Sequence, residues 1–175
     1  MYIKTERLEI KPIRDEDKEN VILLLTDDVV KQTYMVPDFE SIEVAEKLFK
    51  RLKDLSHSND FYQAGIFLED ELIGIANEVG REEDGIELGY AILPAFHNKG
   101  YGTEMLDALI HQMFKEGFKK VITGAFSENL SSIRVMEKCG MHRVEKSEEI
   151  EYRGKIHNCV YYEIGEPNVS DIHLF

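Results

Sequence analysis

The segment Leu93-Pro94-Ala95-Phe96-His97-Asn98-Lys99-Gly100-Tyr101-Gly102-Thr103-Glu104 constrains this chain more than any other. A run that reads as a strand, Ile86 to Leu93, is closed by Pro94, and after a short loop a helix begins at Gly100. The first N–H groups of a helix have no intrahelical partner and sit at the positive end of its dipole, so such an opening is ready to take a phosphate. Glycine lets the backbone approach without a Cβ in the way, and Lys99 adds a positive charge. Two nucleotide-binding patterns fall short. The P-loop needs Gly-Lys-Ser/Thr, whereas Lys99 precedes its glycine; the dinucleotide fingerprint needs a glycine where Met105 stands, and a tighter turn from strand to helix. The glycines alone leave a phosphate site and a plain helix entry equally open.

The rest of the chain supplies a frame. Leu8, Ile10 and Pro12-Ile13 alternate with Arg7, Glu9 and Lys11, which predicts a first strand. Asp15-Glu16-Asp17 opens a helix that continues through Val21, Leu24 and Leu25, and Ser41 caps another with Val44, Leu48, Leu52 and Leu55 on one face. Residues 63–68 and 72–79 flank Glu69-Asp70-Glu71 as an antiparallel hairpin. The glycine helix turns Leu106, Leu109, Ile110, Met113 and Phe114 inward. Val121 to Ala125 is a strand, and Asn129 to Cys139 is a helix ended by Gly140. Two last strands, Val144 to Ile150 and Ile156 to Ile164, surround the turn Arg153-Gly154. This order predicts an α/β fold: a mixed sheet of about seven strands with helices on both faces. A single domain over 1–165 is expected, followed by a tail over 166–175, since 175 residues suit one core.

Composition removes several function classes. A net charge of −13 argues against nucleic acid, which needs a positive face, and is compatible with an amine substrate. An anionic cofactor would then require a local positive field, which Lys99 and the helix opening supply in part. With no run of about 18 apolar residues, no membrane partner is expected. The N-terminus lacks the apolar stretch of a signal peptide, and two cysteines, Cys139 and Cys159, point to a reducing compartment, so a cytoplasmic location is expected. The histidines form no metal-ligand spacing, and no metal is expected.

Four motifs carry a resemblance. They are Thr5-Glu6-Arg7-Leu8-Glu9-Ile10; Ile86-Glu87-Leu88-Gly89-Tyr90 with Leu93-Pro94; His97 to Glu104; and the helix Asn129 to Met141, with Ser132 and Glu137-Lys138-Cys139-Gly140. In this order and spacing they resemble the GNAT superfamily of N-acetyltransferases, and more closely its ribosomal-protein N-terminal acetyltransferase branch. Three positions depart from the family pattern. His97 stands for the usual Gln or Arg, Met141 for the usual Phe, and Met136 where many members carry a tyrosine general acid.

The resemblance implies a mostly antiparallel sheet whose fourth and fifth strands splay apart, with the pantetheine arm of acetyl-CoA between them. By the same resemblance the backbone of Ile92 and Leu93 pairs with the pantetheine. The N–H groups of Asn98, Lys99, Gly100, Tyr101, Gly102 and Thr103 hold the pyrophosphate, so a branched side chain at Gly102 should press against it. Asn129 bonds the pantetheine near its thiol end, Ser132 donates a proton to the departing thiolate, and the Leu93 N–H serves the oxyanion. Read without the resemblance, Ser132 is an exposed helix serine. Arg134 and Lys138 share a helix face and either meet a 3′-phosphate or stay solvated. Homodimers are common in the family, so a homodimer is open here.

The implied reaction is transfer of acetyl from acetyl-CoA to a primary amine, on a protein N-terminus, a polyamine or a small molecule, by direct attack in a ternary complex. An amine attacks only when neutral, so a base is needed. The candidates are Glu87, then Glu78 and Tyr90, or a water chain. Alternation sets Glu87 and Gly89 on the face opposite Leu88 and Tyr90 unless a bulge intervenes. Cys139, at a helix end, reads as packing and not as a nucleophile. Residues 33–57 and the final hairpin are expected to frame the acceptor, whose identity they do not reveal. Two other readings stand beside this one: a coenzyme A-holding module without turnover, and a dinucleotide-dependent oxidoreductase.

Overall fold

Leu8 and Ile10, the apolar positions of the predicted first strand, are both buried, and the strand they belong to is part of one continuous sheet. In the computed structural model residues 1–166 are described. Among these residues the sheet has eight strands: β1 (Ile3–Lys4), β2 (Leu8–Lys11), β3 (Gln63–Leu68), β4 (Glu71–Glu82), β5 (Gly85–Ile92), β6 (Lys120–Phe126), β7 (His142–Tyr152) and β8 (Lys155–Gly165). Their order is β1-β2-β3-β4-β5-β6-β8-β7. The strand beyond the expected seven is β1, whose two residues pair with Ile10 and Glu9 and are too few to show an alternation. The tail expected from residue 166 lies, beyond Glu166, outside the described residues.

Helices α1 (Lys18–Thr26) and α2 (Ile42–Ser56) cover one face of the sheet, and α3 (Tyr101–Lys115) and α4 (Leu130–Lys138) cover the other. Val21, Leu24, Leu25 and Phe49 pack on Phe67, Ile75, Ala91 and Leu93. On α2 the inward face is Ala45, Phe49 and Ser56, with Leu48 and Leu52 half-buried, and Val44 is turned out at 40% exposure. Phe49 is the largest side chain on that inward face and lies in the cluster that contains Phe67. On α3, Met105, Leu106, Leu109, Ile110 and Met113 are buried. Each such side chain contributes about 1.5–3 kcal/mol, so the stripe fixes the helix and, with it, the position of its N-terminus.

All strand neighbours are antiparallel except β5 and β6. That parallel ladder covers only Gly85–Lys120, Ile86–Val121 and Glu87–Ile122. Beyond it residues 88–92 and 123–126 part, while β5 stays paired with β4 as far as Ile92 and β6 with β8 as far as Phe126. The fork expected between the fourth and fifth strands is therefore present, held open from both sides. The register shift near it belongs to β4, at Val79 between Glu78 and Gly80. Because β5 has no bulge there, its alternation holds. Leu88, Tyr90 and Ile92 face α3 and α4, whereas Ala91 and Leu93 face α1 and α2.

The β7–β8 hairpin turns on Arg153 (φ 52°) and Gly154 (φ 72°), both left-handed, as a two-residue hairpin loop requires. Its tip returns to the segment between α1 and α2. The Tyr152 hydroxyl donates to the Lys31 carbonyl at 2.8 Å, and Arg153 and Lys31 both pair with Asp38. Among the described residues no helix is long and apolar enough to cross a membrane.

Candidate active site

The loop leaving β5 makes one tight turn at Pro94–Phe96, where the His97 N–H bonds the Pro94 carbonyl at 3.1 Å. It then passes through Asn98 (φ 59°) and Gly100 (φ 84°). Asparagine is one of the few residues with a Cβ that tolerates this left-handed region, and glycine enters it freely. The first helical bond of α3 runs from the Glu104 N–H to the Gly100 carbonyl at 3.1 Å. The amides of Asn98, Lys99, Gly100, Tyr101, Gly102 and Thr103 have no acceptor among the described residues. Successive free N–H groups around left-handed residues form an anion-binding concavity, here at a helix N-terminus. These are the residues predicted to hold a pyrophosphate.

A brace that sequence reasoning missed holds this loop. Glu104 accepts from Thr5 Oγ1 (2.6 Å), the Arg7 N–H (2.8 Å) and Arg7 Nε (2.7 Å), and Arg7 also donates to the Lys99 carbonyl at 2.9 Å. Arg7 is thus neutralised by Glu104, and the positive field at the loop rests on its amides and on exposed Lys99. Gly102 serves differently from expectation. A Cβ there would lie 3.3 Å from Val135 Cγ2 and 3.8 Å from Ile92 Cδ1. It faces α4 and β5, not an outward-lying pyrophosphate, so the glycine allows the close approach of α3 to α4.

The β5 wall of the fork also needs a correction. The Leu93 N–H, expected to serve the oxyanion and the pantetheine, donates to the Ile73 carbonyl at 2.8 Å. Backbone polar groups alternate sides along an extended strand. Leu93 therefore points into β4, and Ile92 points into the fork. The Ile92 carbonyl accepts from His97 Nε2 at 2.7 Å, so the histidine that replaces the family Gln or Arg ties the loop to β5.

Across the fork, Asn129 caps α4. Its Oδ1 accepts from the Ser132 N–H (3.2 Å) and Ser131 Oγ (2.9 Å), and its Nδ2 donates to Ser132 Oγ (3.0 Å). An amide nitrogen has two protons, which leaves one on Nδ2 for a ligand. Ser132 is half-buried in the first turn of α4. Met136 is buried in the core against Thr123. Burial pushes the Cys139 thiol up to about 11, and its Sγ donates to the Thr103 carbonyl. At neutral pH it is a protonated packing group. Arg134 and Lys138 are exposed on α4.

The three base candidates separate. Glu78 is buried and held by Arg81 Nε (2.8 Å) and Nη2 (3.0 Å), with the Tyr62 N–H on the same carboxylate. Its lone pairs are committed to structure. Burial pushes the Tyr90 phenol well above its ordinary value, so it is a donor at neutral pH. Glu87 stands on the opposite face at the last position where β5 pairs with β6. Burial raises its carboxyl, Lys146 opposes the rise, and Glu148 and Glu82 add to it. A half-buried carboxyl poised upward suits proton removal.

The segments expected to frame an acceptor meet on this same face. Burial pushes the Tyr34 phenol up to about 12, and its hydroxyl donates to Asn77 Oδ1 at 2.6 Å. Asn77 in turn lies 3.3 Å from where a Gly89 Cβ would stand, so Gly89 leaves it room. Tyr34 and Asn77 carried no signal in the sequence, because their pairing joins residues far apart in the chain.

The chain matches known proteins along most of its length. Residues 7–142 match the family described as the acetyltransferase (GNAT) domain. The uncharacterized N-acetyltransferase YnaD of Bacillus subtilis is 30% identical over 147 residues, covering 82% of this chain and 84% of that protein. YoaA of the same organism, also an uncharacterized N-acetyltransferase, is 26% identical over 146 residues, covering 81% and 82%. Among solved structures, a GNAT-family acetyltransferase from Bacillus anthracis superposes with a TM-score of 0.81 at 27% identity, over 94% of this chain and 98% of that one. RimL, a ribosomal α-N-protein acetyltransferase in complex with coenzyme A, shares the fold with a TM-score of 0.82 at 18% identity, over 94% and 98%.

Proposed function

This chain belongs to the GNAT acetyltransferase family, and from that premise we propose that it moves acetyl from acetyl-CoA to a primary amine by direct attack in a ternary complex. The observation that carries the reading is the run of acceptor-free amides from Asn98 to Thr103 beside the fork of β5 and β6. A diphosphate bound to those amides would send its pantetheine arm along residues 88–92, past the Ile92 N–H and the spare Asn129 proton. The solved RimL complex with coenzyme A has the same fold.

Each role follows from a local property. Glu87 takes the proton of the attacking amine from the face that also holds Tyr34 and Asn77. The Ile92 N–H, turned into the fork, replaces Leu93 as donor to the developing oxyanion; such a donor is worth about 10²–10³ in rate. Ser132 donates a hydrogen bond to the departing sulfur. The protonated Cys139 thiol favours direct attack over an acyl-cysteine relay. The acceptor face carries Glu82, Glu87 and Glu148, with Lys146 between Glu82 and Glu148 and Lys120 also beside Glu82. Among the described residues Glu87 itself has no lysine bonded to it, which suits a cationic amine on a peptide N-terminus, a polyamine or a small molecule.

The test is calorimetric titration with acetyl-CoA, followed by thiol release with a panel of N-terminal peptides, polyamines and small amines. Micromolar binding and amine-dependent release of coenzyme A are expected. Binding without release for any amine would favour the holding module, and absence of binding would remove the reading.

A further inference from the structure

Among the described residues one buried side-chain polar atom has no hydrogen-bond partner, the Tyr90 hydroxyl. Tyr90 lies on β5 beyond the last residue paired with β6, on the face turned to α4. Two groups face it from α4 and its C-terminal cap: Ser132, which softens the rise of its phenol without meeting hydrogen-bond geometry, and Cys139. The Cys139 thiol is already engaged with the Thr103 carbonyl at 3.4 Å. Ser132 Oγ accepts from Asn129 Nδ2 and keeps its own proton and a second lone pair free. Three polar groups thus converge at the inner end of the fork, and the innermost has nothing to bond.

Structure alone gives no reason for that hydroxyl. A buried polar atom without a partner destabilises the fold, and phenylalanine would fill the same volume without the cost. The hydroxyl therefore points to a state in which Ser132 has turned toward a ligand. Resting on the coenzyme A reading above, we propose that Tyr90 is a positioning residue for the leaving group: its hydroxyl donates to Ser132 Oγ while Ser132 donates to the departing coenzyme A sulfur.

As the carbon–sulfur bond breaks, its electron pair stays on sulfur and the chain of hydrogen bonds from Tyr90 through Ser132 ends on that charge. Aligned donors of this kind polarise one another. Tyr90 keeps its proton throughout. An ordinary thiol titrates near pH ~8.5 and a phenol near ~10, and burial makes this phenol weaker still as an acid. The proton that neutralises the sulfur comes from solvent and balances the one that Glu87 passes to solvent from the amine nitrogen.

The test titrates the thiol of bound coenzyme A by its thiolate absorbance, in the wild-type chain and in Tyr90→Phe, beside steady-state kinetics. In the wild type the bound thiol should ionise at lower pH than free coenzyme A. In Tyr90→Phe about tenfold more hydroxide should be needed, kcat should fall about tenfold, the worth of one hydrogen bond, KM for acetyl-CoA should hold, and the melting temperature should be no lower. Ser132→Ala should lose at least as much in kcat, and the double variant should be no worse than Ser132→Ala, because one chain is being broken twice. Unchanged thiol titration and kcat in Tyr90→Phe overturn the proposal, as does a double variant that loses the product of both factors. Wild-type protein that binds no coenzyme A overturns the parent reading first, and that outcome is seen before any variant is made.

Discussion

Arg7 Nε sits 2.7 Å from Glu104 Oε2, joining the start of β2 to the first turn of α3 across a separation of 97 residues. The guanidinium also stacks over the Tyr101 ring at 4.6 Å and lies 3.2 Å from where a Gly100 Cβ would stand. One cation therefore touches the carbonyl, the cap and the first helical residue of the loop that presents the free amides. Burial alone would raise the Glu104 carboxyl, but the bonds from Thr5 and Arg7 outweigh it and hold the group below the usual carboxylate range.

Breaking that brace should loosen the anion loop without touching its backbone. Arg7→Ala and Glu104→Gln should each weaken coenzyme A roughly tenfold, by loss of preorganisation. The double variant should match the worse single, since both remove one interaction. The sign with pH follows from the lowered carboxyl: its contribution is present above the ordinary carboxylate value and is lost as pH falls through the folded one. Coenzyme A affinity by calorimetry should accordingly hold from neutral pH down to the ordinary carboxylate value, about 4.3, and fall below it. Additive losses in the two variants would mean that the residues act separately.

Gly102→Val tests the corrected geometry. Its side chain would enter the contact with Val135, 3.3 Å from the first added carbon. Overpacking of this kind costs about 1–3 kcal/mol, so both the melting temperature and coenzyme A affinity should fall. Val135→Ala in the same chain should restore much of both. If the double variant recovered stability but no binding, the side chain would be obstructing the phosphates directly.

What the sequence shows of this protein is what lies in local order. The alternation of Leu8 and Ile10, the stripe from Leu106 to Met113 and the turn at Arg153-Gly154 each report neighbours a few positions apart, and each stands in the structure. The loop from Asn98 to Thr103 was legible for the same reason, since a helix opening declares its free amides by its glycines. What failed depended on contacts across the chain. Leu93 was read as a free donor because nothing local says that its amide meets Ile73. The direction of Gly102 needed the position of Val135 on another helix, and the inward face of α2 needed Phe49 to find Phe67. The Arg7–Glu104 pair was visible only as two halves of separate motifs.

Glu87→Gln separates activity from stability. Activity should fall by about 10²–10⁴, the general-base contribution, and the acid limb of kcat/KM against pH should vanish with the carboxyl. Stability should move the other way. Because the folded carboxyl is raised, the folded state holds its proton where the unfolded chain has lost it, so wild-type stability declines as pH rises from the ordinary value through the folded one. The variant escapes that decline. Its melting temperature should equal that of the wild type near pH 4 and exceed it at pH 7. A variant less stable at pH 7, with activity retained, would assign Glu87 to structure.

The clasp between the hairpin tip and the segment before α2 should govern the acceptor and leave the coenzyme alone. The Tyr152 hydroxyl is within 2.8 Å of the Lys31 carbonyl and 3.4 Å of the Tyr34 carbonyl, and Arg153 reaches Asp38 beside it. Tyr34 in turn bonds Asn77, one strand away from Glu87. Removing one hydroxyl from this arrangement leaves the fork between β5 and β6 untouched, since every atom of the clasp lies on the face opposite α3 and α4. Tyr152→Phe should therefore raise KM for the amine about three- to tenfold, through roughly 0.5–1.5 kcal/mol of lost hydrogen bonding. Coenzyme A affinity and the thiolate titration of the bound coenzyme should not move. Paired measurement of KM for both substrates decides the point: an equal rise in both would mean that the clasp holds the whole fold, and a rise confined to the coenzyme would place the acceptor on the other face.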